Sequence, residues 1–197
     1  GVNFSKIDKY NTIKKIKIAE SSVKGDLPKV YLIHGELSDK EMNALFNHEK
    51  VKCHVSFTHG EGFGHPLLLA SLSGKPVLAP NWSGHIDFLD KEMSILLPGT
   101  LTPIASSAIV QNMLIEGSEW FTVDYKKASE TLKDVYKDYK KYIDGAKKQA
   151  YRSRTEFNLD KMADKLNAII EEKVPKQVSL KLPSLKKIEL PKLKKVE

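Results

Sequence analysis

The sequence predicts an α/β fold, a parallel sheet with helices on both faces. Three observations predict it. Short apolar or β-branched runs alternate along the chain with segments of helical period. The runs are four to eight residues long and bounded by Pro and Gly, as strands covered on both faces are. Glycine turns lead from the ends of two runs into the helices that follow, at Gly35 and at Gly60–Gly64.

Residues 5–20 read as an amphipathic helix, with Ser5 and Asp8 as a capping box and Ile7, Tyr10, Ile13 and Ile16 at three-residue spacing. Gly25 to Pro28 ends it, and Val30–Ile33 reads as a buried strand. Ser38 caps the next helix, with Glu41 at the capping-box position and Met42, Leu45 and Phe46 on one face. Val51, Cys53, Val55 and Phe57 alternate through a strand at 51–58. After the turn His59–Gly64, Pro66 opens a helix carrying Leu67, Leu68, Leu69, Ala70 and Leu72, which stops at Gly74. Residues 76–79 and 94–97 read as two further strands, separated by the Asn81-Trp-Ser-Gly84 turn and a short helical segment. From Asp124, apolar residues at heptad-like spacing from Ala128 to Ala150 predict one long helix, and Leu159, Ala163, Leu166 and Ile170 the inward face of a last one over 159–172.

Composition narrows the function classes. The 197 residues suffice for one domain with a sizeable core and something extra. No apolar run approaches the ~18 residues of a membrane span, so no membrane span is expected. The first residue is Gly1, which reads as an internal start or a cloning remnant, and no signal-peptide core follows it. A single cysteine, Cys53, fits a reducing, cytoplasmic location, and its alternation points it into the core. Net charge is +7, but residues 173–197 hold eight Lys against Glu189 and Glu197, leaving about +1 for the body. The body holds two arginines, Arg152 and Arg154, so nucleic acid is an unlikely partner for it. The tail repeats itself as Leu182-Pro-Ser-Leu-Lys-Lys-Ile-Glu189 and Leu190-Pro-Lys-Leu-Lys-Lys-Val-Glu197. A Pro every eight residues excludes a regular helix or central strand, leaving an extended basic linker or an adhesive arm.

The stretch Ser56–Leu89, SFTHGEGFGHPLLLASLSGKPVLAPNWSGHIDFL, carries the chemistry. A strand end, three glycines within five residues and a helix start form a turn that can approach a ligand closely, with the first-turn N–H groups suited to a phosphate. A tight structural turn is the plainer reading of the glycines alone. The whole string resembles the donor-site segment of retaining glycosyltransferases of the GT-B fold, the group 1-like glycosyl transferases that include sucrose synthase and glycogen-synthase-like enzymes. Ser56, Glu61-Gly62-Phe63-Gly64, Pro66, Ala70, Gly74 and Pro76-Val77 fall in register with that family, over residues 28–100.

The resemblance implies a Rossmann-like nucleotide-sugar-binding domain at 1–123, C-terminal helices packing on it at 124–172, and the repeat tail at 173–197. It implies Glu61 as the catalytic-site glutamate on the donor sugar's hydroxyls. Gly60, Gly62, Phe63 and Gly64 would approach sugar and diphosphate, with Pro66–Leu68 facing the phosphates. Gly35 and Ser38 would lie beside the nucleobase, and His59, two residues before Glu61, could touch the ligand. The donor substrate would be a nucleotide diphosphate sugar, with no tightly bound cofactor or metal and with the leaving diphosphate stabilised electrostatically.

Two departures from the family bear on that reading. The family's second glutamate, which grips the ribose, falls here on Leu69, and each lost hydrogen bond costs roughly 1.5–3 kcal/mol unless Asn81 or Ser83 substitutes. The two βα units that precede the strand at Val30 in the family, with their diphosphate clamp, and the acceptor domain are not in this sequence. Those strands lie mid-sheet between the runs at 30 and 51, so a second chain completing the sheet, or a homodimer, is an expected partner. The isolated chain is expected to be inactive, and a degenerate GT-B-like domain acting as a protein-interaction or assembly module is the alternative function.

Other candidates are weaker. Six histidines show no metal-ligand spacing, and no Gly-x-Ser-x-Gly elbow anchors a hydrolase triad. His85 and Asp87 lie near the cleft, His85 equally as a surface or capping residue. Trp82 and Trp120 read as core or sugar-stacking residues, Trp82 the better candidate for stacking. The sequons at Asn3 and Asn81 read as chance.

Overall fold

A computed structural model of the chain describes residues 5–109, 114–115 and 117–175. The chain divides into two compact units, Gly1–Glu156 and Phe157–Glu197. In the first unit, α1 (Lys6–Ser22) and α2 (Asp39–Asn47) precede β1 (His54–Val55), α3 (His65–Ser71), β2 (Val77–Pro80) and β3 (Ile95–Leu97). The hairpin β4 (Gly99–Pro103) and β5 (Glu119–Val123) follows, then α4 (Tyr125–Lys137) and α5 (Lys140–Glu156). Three strands form a parallel sheet in the order β1-β2-β3, with Val55 opposite Leu78 and Leu78 opposite Ile95. The fold class is therefore mixed α/β with a small parallel sheet.

The core sits on that sheet. All four residues of the central strand β2 are buried, as a strand covered on both faces requires. Leu78 joins Leu97, Phe121, Val123, Ala128 and Val135 in one cluster, with Cys53, Leu132, Tyr139 and Tyr142 packed against it. Period-two alternation turns Val77 and Ala79 to the opposite face. There α3 buries Leu67, Leu68, Ala70 and Ser71, and α5 buries Ala146, Gln149, Ala150 and Ser153. Small residues let α3 and α5 approach closely, and the Ser71 and Ser153 hydroxyls bond across them at 2.8 Å. Gln149 is fully buried, and both ends of its amide are satisfied. Its Nε2 donates to the Phe88 carbonyl and the Ser153 hydroxyl, while its Oε1 accepts from the Asp90 N–H and the Ser94 hydroxyl. That network fastens the loop after β2 to α5.

Several elements differ from expectation. Val30–Ile33 is not a strand: Val30, Tyr31 and Ile33 are 53%, 81% and 61% exposed, because no strand among the described residues lies alongside to pair with. The strand expected over 51–58 shortens to His54–Val55, paired on one side only. The helix over 5–20 forms, with Ser5 and Asp8 making the expected capping box, yet it buries nothing. Its apolar residues recur every three positions, so each is offset by about 60° from the last and no stripe results. The long helix breaks at Asp138 into α4 and α5. Both belong to the first unit, which runs to Glu156. The β4–β5 hairpin had no short-range turn signal, because its strands are joined by a long connection.

In the second unit, α6 (Leu159–Lys173) is capped by the Asn158 side chain, and the face expected to be inward, with Leu159, Leu166 and Ile170, is exposed. The repeat at 182–197 lies outside the described residues. No helix among the described residues is long and apolar enough to cross a membrane.

Candidate functional site

The glycine turn begins where β1 ends. The Ser56 N–H donates to the Leu78 carbonyl, and the chain then leaves the sheet. His59 pins the turn to β5. Its ring stacks on Trp120 at 3.8 Å with 1° between planes, and its Nδ1 lies 2.7 Å from the Phe121 carbonyl, which places the proton on Nδ1. Phe121 N–H donates back to the His59 carbonyl. His59 thus holds the turn through its ring and its Nδ1.

Glu61 is held by the loop after β2. Its N–H donates to the Ser83 hydroxyl at 2.9 Å, the same hydroxyl donates to the Glu61 carbonyl at 2.6 Å, and the Gly84 N–H donates to that carbonyl at 3.0 Å. Ser83 is the one non-glycine residue of positive φ among the described residues, at φ 77° and ψ −170°. Such backbone costs on the order of 1–3 kcal/mol and persists where its surroundings over-determine it. Here the surroundings are the Glu61 backbone and Gly84, where a Cβ would collide with the Gly62 carbonyl. Gly64 adopts φ +85° at the start of α3, and a Cβ there would lie 3.0 Å from that of His85.

His85 is fully buried, which excludes the surface and capping roles. Its Nε2 donates to the Pro80 carbonyl at 2.6 Å, and Nδ1 has no partner. The cap position before its 3-10 turn is Ser83. The two loops are thus interlocked, side by side, at the ends of adjacent parallel strands, the usual position for a ligand.

What this arrangement offers a ligand follows from the groups left unused. The Glu61 carboxylate is half-buried and takes no hydrogen bond among the described residues. The N–H groups of Gly62, Phe63, Gly64 and His65 make none either, giving four consecutive donors for an anion. The helix itself adds less than expected: Pro66 has no N–H, and those of Leu67 and Leu68 are taken by the Gly64 carbonyl. Phe63 leans on Phe88 at 5.2 Å, and Trp82 lies parallel to Phe121.

A cavity of about 750 Å³ lies between α2 and α3, with Met42, Phe46, Pro66, Leu69 and Leu72 as apolar walls and Asp39, His65 and Arg154 among its polar groups. Leu69 therefore lines a ligand-sized space, though as an apolar wall rather than an acceptor. Lys75 fixes α2 beside it by donating to the Phe46 and His48 carbonyls. Gly35 and Ser38 do not line the cavity. Gly35 stands open at φ +138°, and the Ser38 hydroxyl is spent capping α2 with Glu41, whose carboxyl it holds below the usual range. The Ser83 hydroxyl donates its proton to the Glu61 carbonyl and accepts from the Glu61 N–H, whereas exposed Asn81 makes no side-chain hydrogen bond among the described residues.

Below the turn, burial pushes the Cys53 thiol up to about 11, consistent with a packing role rather than a nucleophilic one. His54, bonded to Ser73 and in edge contact with Phe46, is held below its ordinary value, first by burial and then by the charge of Lys75. The clamp at Ser83 and Gly84 and the part of Arg154 were missed from sequence. A Ser-Gly pair after a strand signals a turn but not the loop it grips, and Arg154 is brought to the cavity by tertiary folding alone.

Searches against protein-family models and against curated proteins return no match for the chain.

Proposed function

We propose that the first unit binds a nucleotide diphosphate sugar, as the donor domain of a retaining GT-B-like glycosyltransferase does. The observation that carries this reading is the interlock of loops 59–64 and 81–85. It holds an unpartnered carboxylate, Glu61, next to four consecutive unused N–H donors. In this reading the carboxylate accepts the sugar hydroxyls and the N–H groups of Gly62 to His65 take the diphosphate. The cavity between α2 and α3 takes the nucleoside. Charge developing on the leaving diphosphate would be met by fixed backbone dipoles, which need no reorganisation.

Thermal unfolding against millimolar UDP-, ADP- and GDP-sugars tests it. A ligand at ~100 times its Kd adds ~2.7 kcal/mol and raises the midpoint by several degrees. The expected result is a shift with one donor that Glu61→Gln reduces, and the result against it is no shift with any.

Two observations favour a second reading, a non-catalytic module that docks on another chain. Leu69 presents an apolar wall where the family places an acid, and β1 pairs only with β2 while Val30–Ile33 stands exposed. A second chain, or a second copy, supplying strands to that edge would bury both. Light scattering decides between a monomer and an assembly, and a gain of nucleotide-sugar affinity in Leu69→Glu would mark a decayed donor site.

A further inference from the structure

We propose that Trp82 is the stacking platform for the pyranose ring of the sugar, a role that rests on the donor reading above and adds to it the group that recognises the sugar's carbon face. Trp82 is 42% exposed, while the ring behind it, Phe121, is only 7% exposed. The two rings lie 5.6 Å apart with 3° between their planes. The core ring of Phe121 thus lies against one face of the indole, while 42% of the Trp82 surface stays exposed. Phe121 is packed in the core cluster, with its N–H and C=O both bonded to His59. The indole thus rests on a packed ring, and such support lowers the cost of ordering it on binding.

Its place relative to Glu61 gives the chemistry. Ser83, the next residue, bonds the Glu61 backbone in both directions, and its φ of 77° fixes the direction in which the chain leaves Trp82. An aromatic face and a free carboxylate are thus carried on neighbouring, mutually clamped positions. A pyranose presents the two complementary surfaces: a face of C–H bonds, attracted to the electron-rich face of an indole, and a rim of hydroxyls, which donate to a carboxylate. Trp120 is the poorer platform, because it is less exposed than Trp82 and His59 lies flat on one face of its ring at 3.8 Å.

The chain holds two tryptophans, so Trp120→Phe leaves Trp82 as the only indole reporter. In that background, emission is titrated with UDP-glucose, GDP-mannose, UDP, GDP and maltotriose. Affinities are measured calorimetrically for the wild-type protein, Trp82→Ala and Trp82→Phe. A sugar-bearing probe is expected to change Trp82 emission where its bare nucleotide does not. Trp82→Ala should weaken that probe about five- to tenfold and leave the nucleotide unchanged, and Trp82→Phe should recover most of the loss. If only maltotriose acts, the platform stands and the donor reading fails. Equal weakening of the nucleotide and its sugar conjugate would assign the platform to the base and overturn the proposal. Unchanged emission with all five probes would overturn it as well.

Discussion

Val30-Tyr-Leu-Ile33 and Val77-Leu-Ala-Pro80 are alike as sequences, each a four-residue apolar run with a proline shortly before it and a glycine or asparagine turn after it. Their fates are opposite. The second is the fully buried centre of the sheet, whereas the first is exposed and unpaired. The more β-branched of the two is the one that fails to form a strand. Strand formation is set by neighbours that supply hydrogen bonds and cover both faces, more than by propensity. Val77–Pro80 has β1 and β3 beside it, with α3 and the Phe121 cluster above and below. The contrast extends to the flanks, since no described residue from 5 to 50 is buried. The candidate site stands on the packed side of that division.

The comparison is sharpened most by Leu78→Ala. Leu78 has no exposed surface, and its removal should cost about 3–5 kcal/mol in urea unfolding. Gly84→Ala comes next, at about 2–3 kcal/mol, because its methyl has backbone rather than a yielding side chain in its path. It should also weaken sugar binding, by prising loop 81–85 from Glu61. A smaller effect is expected of pH at the edge of the sheet. The folded state holds His54 below its ordinary value of 6.5, so the unfolded chain takes up the proton more readily. The stability that neutral His54 contributes is present above that value and is lost as pH falls through the lower, folded one. His54→Gln should flatten the midpoint-versus-pH curve below 6.5. The smallest effect belongs to Tyr31→Ala, within about 0.5 kcal/mol, and a loss above 1 kcal/mol would break the comparison.

How much could be read from the sequence follows the same division. The capping boxes at Ser5 and Ser38 were legible because they are written within four residues, and both form. The helix from Pro66, the buried strand near 77 and the partly buried one near 95 were legible because packing in the sheet leaves continuous apolar runs. The strand at Val30 was misread because a run records the capacity to pair and not the presence of a partner. The hairpin at 99–123 was hidden by the long connection between its strands. At the site, the turn was legible from glycine spacing, while Glu61 was singled out only by the family resemblance. The clamp was not, since the bonds between Glu61 and Ser83 span 22 residues and depend on a backbone angle that serine seldom adopts.

Amide hydrogen exchange, read peptide by peptide with and without the nucleotide sugar that shifts unfolding, tests the central claim most directly. That claim is that a ligand-binding pair of loops rests on one packed half of the chain. The account predicts slow exchange across 77–97 and 140–156, exchange near the unstructured rate across 24–37, and new protection confined to 59–65 and 81–85 when the sugar binds. Slow exchange across 30–33 in the free chain, or ligand protection that bypasses both loops, would contradict it.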